Sequence, residues 1–133
     1  MVVNANRAAN MLKSRFFICP VCGNVLMARG EALVSCCGIQ LPALTAEEPD
    51  PAHRLEIVKT EDELYVSCDH PMSKEHYLTF ITYLTGDRCE TVTLYPEGNA
   101  EARFFIRGGG LLYCYCNRHG LFRQKLTRVP ASP

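Results

Sequence analysis

Residues 76–84 read His76-Tyr77-Leu78-Thr79-Phe80-Ile81-Thr82-Tyr83-Leu84, a length that suits a short helix or a strand. Thr79, Ile81 and Thr82 are β-branched, and Tyr77, Phe80 and Tyr83 are aromatic. Such side chains lose freedom against a helical turn and pack well on a pleated surface, so a strand is expected. Similar runs occupy 54–59, 63–67, 89–95, 102–107 and 111–116, the last strand in this reading. Between them stand Glu61-Asp62, Pro71, Gly86-Asp87, Pro96-Glu97-Gly98-Asn99 and Gly108-Gly109-Gly110. Short strands broken at that rhythm predict an antiparallel sandwich or barrel. Tyr77, Phe80, Tyr83, Phe104 and Phe105 are expected in its core rather than stacking on nucleic acid bases.

Upstream, 46–52 reads Ala-Glu-Glu-Pro-Asp-Pro-Ala, with two prolines, three acids and no periodicity, as a linker does. The segment before it, 16–45, is glycine-bearing and cysteine-rich, with small apolar patches at Phe16-Phe17-Ile18 and Ala32-Leu33-Val34. It is too short for a core of its own, so a bound metal is expected to stabilise it. The predicted organisation is an arm over 1–15, a metal module over 16–45, a linker over 46–52, a β-sandwich over 53–126 and a tail over 127–133. The arm reads as a frayed helix or a disordered segment.

With 133 residues, 47% of them hydrophobic, the chain has material for one modest core and a satellite, not two large domains. Fourteen basic residues balance fourteen acidic ones, so no global field favours nucleic acid or an anionic membrane. No stretch approaches the roughly 18 apolar residues of a membrane span, and the polar start, with Asn4, Asn6, Arg7, Asn10 and Lys13, lacks a signal-peptide core. A soluble, cytoplasmic protein is expected. In that compartment thiols stay reduced, so eight cysteines point to metal or redox chemistry rather than disulfides.

Cys19-Pro20-Val21-Cys22-Gly23 is a knuckle that aims two thiolates at one ion, with a glycine for the tight turn. Cys36-Cys37-Gly38 supplies a second pair at an unusual adjacent spacing. Four thiolates suit iron or zinc, and the spacing does not choose between them. Cys68, Cys89 and Cys114 belong to neither pair and read as buried, inert thiols.

The four histidines, His53, His70, His76 and His119, all lie outside the cysteine module. Asp69-His70-Pro71-Met72-Ser73-Lys74-Glu75-His76 sets two imidazoles six residues apart across a proline turn. Tyr115-Cys116-Asn117-Arg118-His119-Gly120 sets a thiolate and an imidazole three residues apart after a strand. Each string could direct its donors at one ion.

These motifs resemble those of the desulfoferrodoxin, or superoxide reductase, family. Residues 16–24 with 34–38 look like its desulforedoxin-type module, the adjacent Cys36-Cys37 being the most specific mark. The two histidine strings are similar to its ligand motifs. The resemblance implies a rubredoxin-like iron at Cys19, Cys22, Cys36 and Cys37, followed by an immunoglobulin-like antiparallel β-sandwich. It implies a second, non-haem iron held by His53, His70, His76 and His119, with Cys116 on its axis. Cys116, His119 and Lys74 would then serve the reduction of superoxide to hydrogen peroxide. Electrons would come from rubredoxin or another small redox protein, and the chain would be a homodimer.

The family's usual glutamate and lysine before the first histidine are replaced here by Pro51-Ala52. The lysine offers positive charge to the anion, and Arg54, Lys74 and Arg118 are the candidate substitutes. An alternative reading is a non-catalytic iron protein for electron transfer or redox sensing. A third, with structural zinc at both sites, conflicts with a five-donor set, because structural zinc is closed and four-coordinate.

Overall fold

A computed structural model describes residues 10–127. Among them are eleven strands and a single 3-10 turn, Met11–Lys13. Two short antiparallel ribbons come first: β1 (Arg15–Ile18) with β2 (Val25–Ala28), and β3 (Val34–Cys36) with β4 (Ile39–Leu41). Seven strands follow: β5 (Glu56–Thr60), β6 (Glu63–Ser67), β7 (Leu78–Leu84), β8 (Cys89–Thr93), β9 (Glu101–Phe105), β10 (Gly110–Cys116) and β11 (Gly120–Leu126). They form two antiparallel sheets, ordered β11-β10-β7-β8 and β5-β6-β9. No helix among the described residues is long and apolar enough to cross a membrane.

Alternation builds the sandwich core. Leu64 and Val66 of β6, Ala102 and Phe104 of β9, Ile81 and Tyr83 of β7, and Leu112, Cys114 and Cys116 of β10 all point between the sheets. Cys114 and Cys116 therefore share a face, as residues two apart on a strand must. The same alternation turns Phe105 outward, where it is 59% exposed beneath the Arg107 guanidinium, so it is not the core aromatic that composition implied. Thr82, fully buried, is satisfied by the Thr91 hydroxyl at 2.8 Å. A Cβ at Gly110 would collide with the Leu84 carbonyl oxygen, so only glycine lets β10 start this close to β7.

β7 is a strand, as its β-branched and aromatic content required, and both of its faces are covered. Its second face meets the N-terminal segments. On β1, Phe17 turns into the small core of the ribbons with Cys19 and Leu41, while Phe16 turns the other way onto Phe80 and Tyr113, at ring distances of 5.6 and 4.9 Å. Met11 and Leu12 pack against the same cluster, and the Asn10 side chain caps the turn they sit in. Residues 1–9 of the expected arm and 128–133 of the expected tail lie outside the described residues. In the proline-rich stretch, the Glu47 N–H donates to the Leu121 carbonyl and the Glu47 carbonyl accepts from the Arg123 N–H, a bridge along β11.

One strand expectation fails. β10 is not the last strand, because β11 follows it and pairs along its whole length. β11 buries the neighbours Leu121 and Phe122 against different clusters and carries Arg123 and Lys125, so its apolar residues neither alternate nor dominate.

Candidate metal centres

The four cysteines of the N-terminal ribbons converge. Gly23 and Gly38 have φ of 74° and 73°, the left-handed turn that glycine adopts freely, and Cys37 joins them at 53°. The sulfurs of Cys22 and Cys36 lie 3.6 Å apart and those of Cys36 and Cys37 4.0 Å, with all four within 4.8 Å of one another. Tetrahedral sulfurs bonded at ~2.3 Å to one ion sit ~3.8 Å apart, so this set fits a metal. Its electrostatics agree. Backbone N–H groups of Cys22 and Val21 pull the Cys19 thiol down to about 7, while the sulfurs of Cys22, Cys19 and Cys36 push Cys37 up to about 12. Four thiolates this close need a cation between them.

The second set collects at one end of the sandwich. His53 sits in the turn before β5, His70 in the loop after β6, His76 in the turn before β7, Cys116 at the end of β10 and His119 in the turn to β11. Antiparallel pairing brings these ends together. The rings close a cycle, with centroids 4.8 Å apart for His53–His70 and His70–His76, and 5.0 Å for His76–His119 and His119–His53. Cys116 is fully buried, its sulfur 3.4 Å from His119 Nδ1. The donor atoms of His53, His76, Cys116 and His119 fall within 4.8 Å of one another, and His70 is not in that group.

The Nε2 atoms of His53, His70 and His76 are all buried without a hydrogen-bond partner. An orphaned buried polar nitrogen is costly, and three around one point are explained by a cation that accepts their lone pairs. Burial holds the His70 and His76 rings below the ordinary imidazole value of 6.5, keeping them neutral, the form that binds metal. Donor set and geometry thus fit iron with imidazole and thiolate ligands.

Surrounding groups hold these donors. The Asp50 carboxylate accepts from His53 Nδ1 at 2.6 Å, which pulls its own pKa down, and Phe122 stacks on the same ring at 4.2 Å. The Pro71 carbonyl lies 2.7 Å from His70 Nδ1. Asn117 ties two loops together: its Oδ1 accepts from the Tyr77 N–H at 3.0 Å and its Nδ2 donates to the Glu75 carbonyl at 3.1 Å. Cys68 and Cys114, pushed up to about 11 and about 12 chiefly by burial, remain thiols that reach the carbonyls of Ala52 and His53. Cys89 lies apart, 3.6 Å from the Met27 sulfur.

Sequence reasoning missed Asp50, Asn117 and Phe122. Only Asp50 left a signal, an acid three residues before a histidine across a proline.

The family model for desulfoferrodoxin matches residues 42–125. The chain belongs to the desulfoferrodoxin family. It is 31% identical to a desulfoferrodoxin of Clostridium acetobutylicum over 109 residues, 77% of this chain and 87% of that one. It is 31% identical to a desulfoferrodoxin of Syntrophotalea carbinolica over 122 residues, 85% and 97% of the two chains. Among solved structures, the superoxide reductase of Treponema pallidum superimposes with a TM-score of 0.74 at 22% identity, over 84% of this chain and 98% of that one, and so shares its fold.

The candidate cations of this family member differ in their partners. Arg54 Nη2 donates to the Pro49 carbonyl at 3.2 Å, and Arg118 Nε to the Glu75 carbonyl at 3.1 Å, beside His76. Lys74 is exposed in the turn closed by Ser73 and His76.

Proposed function

We propose that this chain is an iron-dependent superoxide reductase, carrying out superoxide + e⁻ + 2H⁺ → hydrogen peroxide. The observation that carries the reading is the ring of four imidazoles, three with buried, unpartnered Nε2 atoms, beside a fully buried Cys116. Iron bound there would supply the electron and an open coordination position for a small anion. His53, His70, His76 and His119 would hold it through their ring nitrogens. Cys116, buried in the core, would supply a thiolate ligand that donates electron density to the ion. Lys74, exposed two residues before His76, and Arg118, whose charge acts on that ring, would raise the encounter rate with an anion. Cys19, Cys22, Cys36 and Cys37 would hold a second ion, iron or zinc, which as iron would relay electrons.

The electron donor is proposed to be rubredoxin or a similar small redox protein. The eight free cysteines support a reducing, cytoplasmic setting, and the family resemblance supports a homodimer. A second reading, iron-based electron transfer or sensing without turnover, draws on Pro51-Ala52 standing where the family has glutamate and lysine, with Arg54 turned away to Pro49.

Stopped-flow absorption of the reduced, iron-loaded chain mixed with superoxide separates the two. Rapid growth of a long-wavelength thiolate-to-iron band, absent in Cys116→Ser, is expected for the reductase. Iron that oxidises no faster than free iron would leave electron transfer or sensing as the function.

A further inference from the structure

The turn that carries His53 contains a carboxylate with no part in the proposed reaction. Asp50 Oδ1 accepts two hydrogen bonds from one residue, the His53 Nδ1–H at 2.6 Å and the His53 backbone N–H at 3.0 Å. The Asp50 carbonyl also accepts from that N–H, at 3.1 Å. The turn is closed from behind by Arg54, whose guanidinium holds the carbonyl of the buried Pro49. Phe122 lies flat against the imidazole, with 14° between the planes. Carboxylate and ring are thus held in one geometry.

The other rings are treated differently. His70 Nδ1 faces a neutral carbonyl, and His119 Nδ1 faces the Cys116 sulfur. Among the described residues, Asp50–His53 is the one carboxylate contact on any of the four imidazoles. With Nδ1 protonated toward Asp50, the lone pair resides on Nε2, the buried atom with no partner. A histidine whose far N–H donates to a carboxylate is a more basic ligand than one donating to a neutral acceptor.

We propose that Asp50 is a positioning residue for the histidine–cysteine centre: it holds His53 in the Nδ1–H form with Nε2 aimed inward and makes that nitrogen the most electron-rich of the four. This rests on the reading that the centre holds iron, and not on turnover. The acid three residues before His53 acts on the back of its ring. Negative charge so placed stabilises Fe(III) more than Fe(II). Asp50 therefore strengthens iron retention and lowers the midpoint potential.

The test uses the full chain with Asp50→Asn, which keeps shape and loses charge, and Asp50→Ala. The Asp50 side chain is 56% exposed, so neither change opens the core. Fe(II) affinity is measured by chelator competition, and the potential by following the thiolate band, with the four-cysteine iron as internal control. Both variants are expected to bind Fe(II) about ten- to a hundredfold more weakly and to show a raised potential, while the four-cysteine iron is unchanged. An Asn variant with the parent's potential overturns the proposal, whether or not its affinity falls, because a loosened turn weakens binding without preferring one oxidation state. A parent that binds no iron at this centre also overturns it. A parent that binds iron yet ignores superoxide removes the reductase reading and leaves this one standing.

Discussion

The two donor sets of this chain are built in opposite ways. The four cysteines stand on two small ribbons whose shared core contains only Phe17, Cys19 and Leu41 as buried residues, and Cys22 and Cys37 are exposed. The histidines and Cys116 stand at the rim of a core that includes Leu64, Val66, Ile81, Tyr83, Phe104 and Leu112, all buried. In the first region the ion must supply what packing does not. In the second, packing has already paired the strand ends that carry the donors, so the site is formed before an ion arrives.

The sharpest way to break that contrast is to remove metal. Stripping both ions is expected to melt the ribbons, since structural zinc contributes about 10–16 kcal/mol to the folding of small metal domains. The seven sandwich strands should stay folded. Amide hydrogen exchange reads both: fast exchange in β1–β4 with protection kept in β6, β7 and β10 is the expected pattern, and uniform loss of protection would erase the distinction. Next in size, Phe104→Ala cuts a side chain 2% exposed from the sandwich core. It should cost about 3–5 kcal/mol in denaturant titrations while the four-cysteine iron keeps its spectrum.

Cys116→Ser acts on the prebuilt site alone. The thiolate-to-iron band should vanish and the rate with superoxide fall by at least about a hundredfold, the upper range for losing a mere supporting residue. The four-cysteine iron again serves as control. A graded effect follows from pH. His70 and His76 have folded values held below 6.5 by burial, so below that pH the unfolded chain binds more protons than the folded one. Stability of the metal-free sandwich is therefore full above about 6.5 and declines as pH falls through the folded values, which thermal melts across pH 5 to 8 would show. Smallest of all, Lys74→Ala should slow the superoxide reaction by about two- to fivefold at low salt, converging on the parent as salt rises. A salt-independent loss would mean that Lys74 acts by something other than its charge.

Much of this was legible from local chemistry. The content of residues 76–84 called for a strand, and β7 is one. Gly23 reads as the glycine of a tight turn and has a positive φ; Gly38 does too, without a turn having been expected there. β11 is not legible in the sequence, because the adjacent Leu121 and Phe122 are buried against different clusters and the polar run Arg123-Gln124-Lys125 follows them. Phe105 reads as core in the sequence, since composition does not say which member of Phe104-Phe105 faces inward. That depends on register against β6, where Leu64 pairs with Phe104.

The sequence by itself showed most of the donors. Two close cysteine pairs, two histidines across a proline turn and a cysteine three residues before a histidine are covalent spacings from which ligand chemistry at short range follows. His53 stands in none of them and enters only through the family resemblance. Only the tertiary structure decided how those donors meet. It closed His53, separated from His119 by 65 intervening residues, into one ring with the other three. It set Phe122 and Asp50 on two sides of that imidazole and left three Nε2 atoms buried without partners. Those relations depend on strand pairing and burial between distant segments, which local spacing does not encode.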